Sequence, residues 1–89
     1  MPWTVELATS AERDFGRLGS VVRRRLRSRI ERLSDDPRPS GSRKLGGVEL
    51  HRIRVGEYRL VYAIYDDTKS IIVVAIGHRS SVYRRLRRR

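Results

Sequence analysis

The sequence predicts an α+β fold: a two-helix hairpin packed on a four-stranded, mainly antiparallel sheet, with a short C-terminal helix. Three observations carry this expectation. Period-2 apolar alternation marks the start of the chain, and three strand-like runs follow in its second half. Between them lie two segments with apolar residues at helical spacing. A tight Gly56-Glu57 turn then joins two of the strand-like runs. At 89 residues the chain has material for one core, so a single domain over 1–89 is expected.

Trp3, Val5 and Leu7 alternate with Thr4 and Glu6, the pattern of a half-buried first strand. Thr9 followed by Glu12 is a capping-box pattern, and Ala11, Phe15 and Leu18 then fall at helical spacing until Gly19 stops the segment. Ser20 is placed to cap a second helix, in which Val22, Leu26, Ile30 and Leu33 form one apolar stripe. Arg23, Arg24, Arg25, Arg27, Arg29 and Arg32 occupy its remainder and read as a solvated face that steers the protein towards RNA. Asp36-Pro37 is expected to end this helix. The stretch from there to Gly47 has no sustained period, and connections this long are often functional. Three strand-like runs follow, at about Val48 to Val55, Tyr58 to Tyr65 and Ile71 to Gly77, with Asp66 to Ser70 as the second turn. From Ser80, the residues Val82, Tyr83 and Leu86 read as a short helix running into Arg87-Arg88-Arg89.

Composition narrows the function classes. With 21 Lys+Arg against 10 Asp+Glu the net charge is +11, which points to a polyanionic partner. Only Lys44 and Lys69 are lysines, and arginine's planar fork suits two-point binding of phosphate. The absence of cysteine removes disulfides, zinc-thiolate sites and thiol nucleophiles together. Asp66 and Asp67 read as turn residues rather than metal ligands. No cofactor and no metal are expected. The start lacks the apolar stretch of a leader and no run approaches the roughly 20 apolar residues of a membrane span, so a cytoplasmic protein is expected. A domain this small buries only about 60–68% of its unfolded surface, so stabilisation by a bound partner is plausible.

The hairpin carries the most information. With Gly56 and Glu57 as a two-residue type II′ turn, Val55 lies opposite Tyr58, Arg54 opposite Arg59 and Ile53 opposite Leu60. Alternation puts His51, Ile53, Val55, Tyr58, Leu60, Tyr62 and Ile64 on the face the helices cover, and Arg52, Arg54 and Arg59 on the other. Two guanidinium groups facing each other near 5 Å repel by roughly 1 kcal/mol in water and about 3 at an effective dielectric of 20. A bound anion would reverse the sign of that interaction, whereas a hydrated face with splayed side chains is the alternative. The run Ile71 to Gly77 is apolar on both faces, as in mid-sheet. His78 and Arg79 emerge at its end, and Gly77 permits a bend there, though alternation alone cannot say which face they meet.

Taken in order, the two-helix start, Arg43-Lys44-Leu45-Gly46-Gly47, the run from Arg52 to Tyr62, and Ile76-Gly77-His78-Arg79-Ser80-Ser81-Val82-Tyr83 resemble the RelE/ParE toxin superfamily. The resemblance covers nearly the whole chain. It implies the fold expected above, and a cognate antitoxin that wraps or docks on the toxin in a hetero-oligomer. It also implies one of two targets: RelE-like members cut messenger RNA on the ribosome, and ParE-like members poison DNA gyrase. Arg52, Arg54, Arg59, Arg79 and Tyr83 match the RelE-like nuclease positions, which favours a ribosome-dependent endoribonuclease. Its implied chemistry is metal-independent attack of a ribose 2′-hydroxyl on the adjacent phosphate, with Arg52, Arg54, Arg59 and Arg79 stabilising charge. Tyr83 would stack on a base or orient the hydroxyl. Where relatives have lysine, Arg54 cannot serve as a base, because guanidinium stays protonated. His78 is then the candidate for proton transfer, and His51 is read as structural. A plain RNA-binding domain is the third reading, against which stands the scarcity of aromatic platforms.

Overall fold

The computed structural model describes residues 3–46 and 49–87. Strand β1 (Thr4–Leu7) leads into helices α1 (Thr9–Gly16) and α2 (Ser20–Leu33). Strands β2 (Arg43–Lys44), β3 (His51–Val55), β4 (Tyr58–Tyr65) and β5 (Ser70–His78) follow, and helix α3 (Val82–Arg87) comes last. The sheet has five strands in the order β1-β5-β4-β3-β2, antiparallel except for the parallel β1–β5 pair. The expected fold class stands, with one strand more than expected.

That extra strand is β2, inside the stretch that shows no sustained period. It is two residues long, too short for a period to register, and pairs Arg43 with Arg52 and Lys44 with His51. The stretch before it is held from outside: the buried Tyr62 hydroxyl donates to Pro37 O at 2.8 Å. Arg38 adds a two-point ion pair with Asp66, at 3.0 and 3.3 Å. Val48, where the following run was expected to begin, lies outside the described residues, as do Gly47 and Arg88-Arg89.

The helix ends differ from the expected caps. Ala8 and Gly19, not Thr9 and Ser20, hold the extended cap position, and neither helix start has a side-chain capping bond. The Ala8 carbonyl takes the first helical bond from Glu12 N–H, while its own N–H donates to Val73 O; the chain therefore passes from sheet to helix without a capping residue. Helix α1 ends at Gly16 rather than running to Gly19, and Leu18 packs on the core from the connecting loop. Helix α2 ends at Leu33, three residues before Asp36-Pro37, where the Ser34 hydroxyl donates to Glu31 O.

The helix hairpin covers one face of the sheet. Ala11, Leu26 and Leu33 meet Ile53, Val55, Leu60, Tyr62, Ile71, Val73 and Ile76, with Trp3, Val5 and Phe15 around them. Arg27 lies over the Phe15 ring at 5.6 Å, tying α2 to α1. The opposite face carries a second, smaller core in which α3 lays Val82, Tyr83 and Leu86 over Val61, Val74 and Ala75, with Leu45 and Leu50 beside them. Among the described residues no helix is long and apolar enough to cross a membrane.

Candidate active site

The β3–β4 turn fixes the register of the site. Gly56 has φ of +60° and Glu57 is not in the left-handed region, which is the type II′ geometry the pair predicts. The pairs fall as expected: Val55 with Tyr58, Arg54 with Arg59 and Ile53 with Leu60. Arg54 and Arg59 therefore face each other on the side away from α1 and α2, and Arg52 lies on the same side, opposite Val61 on β4 and Arg43 on β2.

A break in the β4–β5 register decides what lies beside them. Val61 pairs with Ala75 but Tyr62 pairs with Val73, so Val74 is an extra residue in β5. Val74 and Ala75 both belong to the α3-side core, and alternation resumes in the opposite phase. As a result Gly77 lies opposite Arg59 and adds no side chain to the arginine face, while His78 lies opposite Tyr58 on the helix-hairpin side. Gly77 is an ordinary paired strand position, not the bend the sequence allows.

Arg52 is the most deeply set of the cluster, only 8% exposed. Burial above all, then the charge of Arg54 and more weakly those of Arg43 and Arg59, holds its guanidinium below the usual value, and Tyr83 pulls the other way. Tyr83 packs in the α3-side core with Val61, the strand partner of Arg52, and so lies on the same face of the sheet. Arg59 donates through Nη1 to the carbonyls of Gly56 and Tyr58 at 3.1 and 2.9 Å, so its head folds back on the turn. Arg54 is exposed. Among the described residues no carboxylate pairs with Arg43, Arg52, Arg54 or Arg59.

Two of the expected site residues lie apart from this group. Arg79 sits just past β5 and its Nε donates to Glu57 Oε1 at 2.7 Å, while its backbone N–H bonds Glu57 O. That bond, more than any other influence, holds the Glu57 carboxyl below the usual range, with Arg79's charge, then His78 and Arg59, acting in the same direction. Arg79 therefore flanks the cluster at the hairpin tip, held by Glu57, a counter-ion whose place in the sequence marks it only as a turn residue. His78 is farther from the proposed role. Its ring meets Tyr58 edge-on at 5.8 Å, and its Nδ1 accepts the Ser80 N–H at 3.2 Å with the Ser80 hydroxyl at 2.8 Å. The Nδ1 lone pair is thus engaged and the neutral ring carries its proton on Nε2, 3.8 Å from Glu57. His51 stacks on Tyr62 at 5.7 Å, consistent with a structural place. Asp67 accepts the Thr68 N–H as a turn residue does, and Asp66 is taken by Arg38. Among the described residues no cluster of His, Asp and Glu could hold a metal.

A helix hairpin on one face of a mainly antiparallel sheet, and an arginine row without carboxylate partners among the described residues beside a terminal helix on the other, define a small cationic α+β protein built to meet an anion. The family described as the ParE toxin of the type II toxin-antitoxin system parDE matches residues 5–83, and the chain belongs to that family. Toxin RelG of Mycobacterium tuberculosis is 34% identical over 92 residues, spanning 96% of this chain and all of the relative. The mRNA interferase toxin RelE of Escherichia coli is 28% identical over 87 residues, spanning 93% and 92% of the two chains. The crystal structure of the intact E. coli RelBE toxin-antitoxin complex contains a chain that superposes with a TM-score of 0.76 at 26% identity, covering 85% of this chain and 95% of that one.

Proposed function

We propose that this toxin is a ribosome-dependent endoribonuclease that cuts messenger RNA by attack of a ribose 2′-hydroxyl on its own 3′-phosphate. The observation that carries the reading is the row Arg54–Arg59 with Arg52 and Arg43 beside it, four guanidinium groups without an acidic partner among the described residues. Such a row gains its balance from an anion that arrives with the substrate. The name of the E. coli relative, an mRNA interferase, supports the same choice.

In this mechanism the scissile phosphate lies across Arg54 and Arg59, which bear the charge that builds on its non-bridging oxygens. Arg52, buried at 8% exposure, fixes the phosphate's depth, and Tyr83 stacks on the adjacent base. Arg79 reaches the outer side of the phosphate by exchanging Glu57 for it. The 2′-oxygen bonds to phosphorus and gives its proton to water, the bond from phosphorus to the 5′-oxygen breaks and that oxygen takes a proton from water, and the products are a 2′,3′-cyclic phosphate and a 5′-hydroxyl; no metal takes part. Neither histidine lies on the arginine face, so the rate comes from in-line placement and charge stabilisation rather than from a side-chain base. The partner that restrains the activity is a cognate antitoxin, as the RelBE complex suggests, and it forms a hetero-oligomer with this single-domain toxin in the cytoplasm.

A gyrase-directed toxin is the second reading, favoured by the name under which the family stands. The test is cleavage of end-labelled messenger RNA on ribosomes, with naked RNA and a gyrase supercoiling assay in parallel. Cuts that need ribosomes are expected; blocked supercoiling without cuts would replace the nuclease reading with the gyrase one.

A further inference from the structure

Helix α2 holds six arginines and a single glutamate in Ser20–Leu33, and its sequence alone reads as a solvated face. Three of the six, with Arg24 and Arg25 exposed and Arg29 partly so, also share a groove. Arg24, Arg25 and Arg29, with Ser28, form one wall of a groove of about 390 Å³ whose other wall is Arg54, Val55 and Gly56. Among the described residues β3 has no strand partner on this side beyond the pairs with Arg43 and Lys44, and Arg54 lines the groove beside that edge. Among the described residues none of the four arginines has a carboxylate partner. Arg25 and Arg29 stand one turn apart on the helix, where like charges are destabilising. A small apolar ligand does not fit a groove lined this way, since such sites are mostly apolar with a few polar groups.

The groove is also continuous with the arginine face. The Arg25 guanidinium lies 3.7–3.8 Å from where a Cβ on Gly56 would stand, so it rests against the hairpin turn. The carbonyl of that same Gly56 accepts Arg59 Nη1 at 3.1 Å from the other side. One turn residue thus separates the α2 arginines from the row proposed to hold the scissile phosphate, and Arg54 borders both.

We infer that the α2–β3 groove is a second phosphate-binding track, which holds the backbone of an RNA segment outside the one cut at the arginine face. This rests on the endoribonuclease reading for the position of the cut, and extends it to a footprint that wraps the hairpin tip. Arg24, Arg25 and Arg29 bind phosphates here and do not touch the reacting atoms.

The test measures binding, not cleavage, with uncleavable 2′-O-methyl RNA. A trinucleotide reaches only the arginine face; a single strand of about twelve nucleotides, within the range such grooves occupy, reaches both. The parent is compared with Arg24→Gln/Arg25→Gln/Arg29→Gln and with the matching triple lysine variant. For the long RNA the glutamine variant is expected to bind more than about tenfold more weakly, and the slope of log K against log salt to flatten by about 2, three contacts at roughly 0.7 each. The trinucleotide should bind alike in all three proteins, and the lysine variant should keep the parent's slope. A hairpin duplex run beside the single strand tells a structured ribosomal helix from the messenger flank, by which of the two shows the flattening. Unchanged slopes for both long RNAs would overturn the track, including the case where the variant loses only binding to an acidic antitoxin segment. Failure of the parent to cut ribosome-bound messenger RNA, with the slope difference on long RNA intact, would instead remove the endoribonuclease reading and leave the track standing.

Discussion

Arg54 and Arg59 face each other across β3 and β4, and this pair was legible in the sequence because a two-residue turn with Gly first leaves one register. Nothing comparable fixed the residues after β5. The extra residue at Val74 reverses the phase of alternation, and an apolar run in which both faces are covered gives no sign of such a reversal. This is why His78 could be proposed for proton transfer from sequence yet stands on the helix-hairpin side with its Nδ1 bonded to Ser80. The two positions separate in a cleavage assay on ribosome-bound RNA. Arg59→Ala is expected to lose about 10²–10³-fold in rate, the magnitude of one charge-stabilising donor. His78→Ala should stay within about tenfold, well short of the 10²–10⁴ that a general acid or base contributes. A His78→Ala loss as deep as that of Arg59→Ala would return the proton transfer to His78.

The elements that position the site are unevenly legible in the sequence, for one physical reason. Strand β4 and the apolar stripe of α2 announce themselves through their period and β5 through its unbroken apolar run, whereas β2 is two residues long and is made by its partner rather than by its own sequence. The connection that delivers it depends on the Tyr62 hydroxyl bonding Pro37 O in the core, a contact between residues far apart in the chain. Tyr62→Phe leaves that carbonyl buried without its donor, and the expected cost is about 1–3 kcal/mol in urea unfolding with an unchanged slope; a loss below the error of the method would mean the connection is held without it. The same region sets a pH dependence. Burial first, then the charges of Arg38 and Lys44, hold the His51 ring below its ordinary value. The unfolded chain therefore takes up this proton more readily than the folded one. Stability should be level above about pH 6.5, fall as pH drops below that, and level off once the folded ring also protonates. His51→Asn should remove this fall, seen as equal urea midpoints at pH 7.5 and 5.5; an undiminished fall in the variant would place its origin elsewhere.

On the scale of the whole molecule, the sheet separates two kinds of work. One face is given to the helix hairpin and most of the apolar core, and the other is shared between a small core under α3 and the arginine row. The fold class was legible because it follows from period and charge, while the second core was not, because α3 contributes only Val82, Tyr83 and Leu86 to it and so short a stripe does not reveal its partner. Family membership accounts for the architecture, but not for an arginine row without carboxylate partners among the described residues in a small domain with little stability to spare. If the row is kept for a substrate phosphate, it opposes folding and serves cleavage. The most direct measurement is the cleavage rate of Arg54→Ala on ribosome-bound messenger RNA, taken together with its thermal midpoint. Arg54 is exposed and faces Arg59, so its removal should leave the midpoint unchanged or raise it, by relief of roughly 1 kcal/mol of repulsion, while cleavage falls by at least about 10²-fold. Full cleavage activity in a variant that is less stable than the parent would contradict the account, because Arg54 would then be a structural residue and the row no anion site.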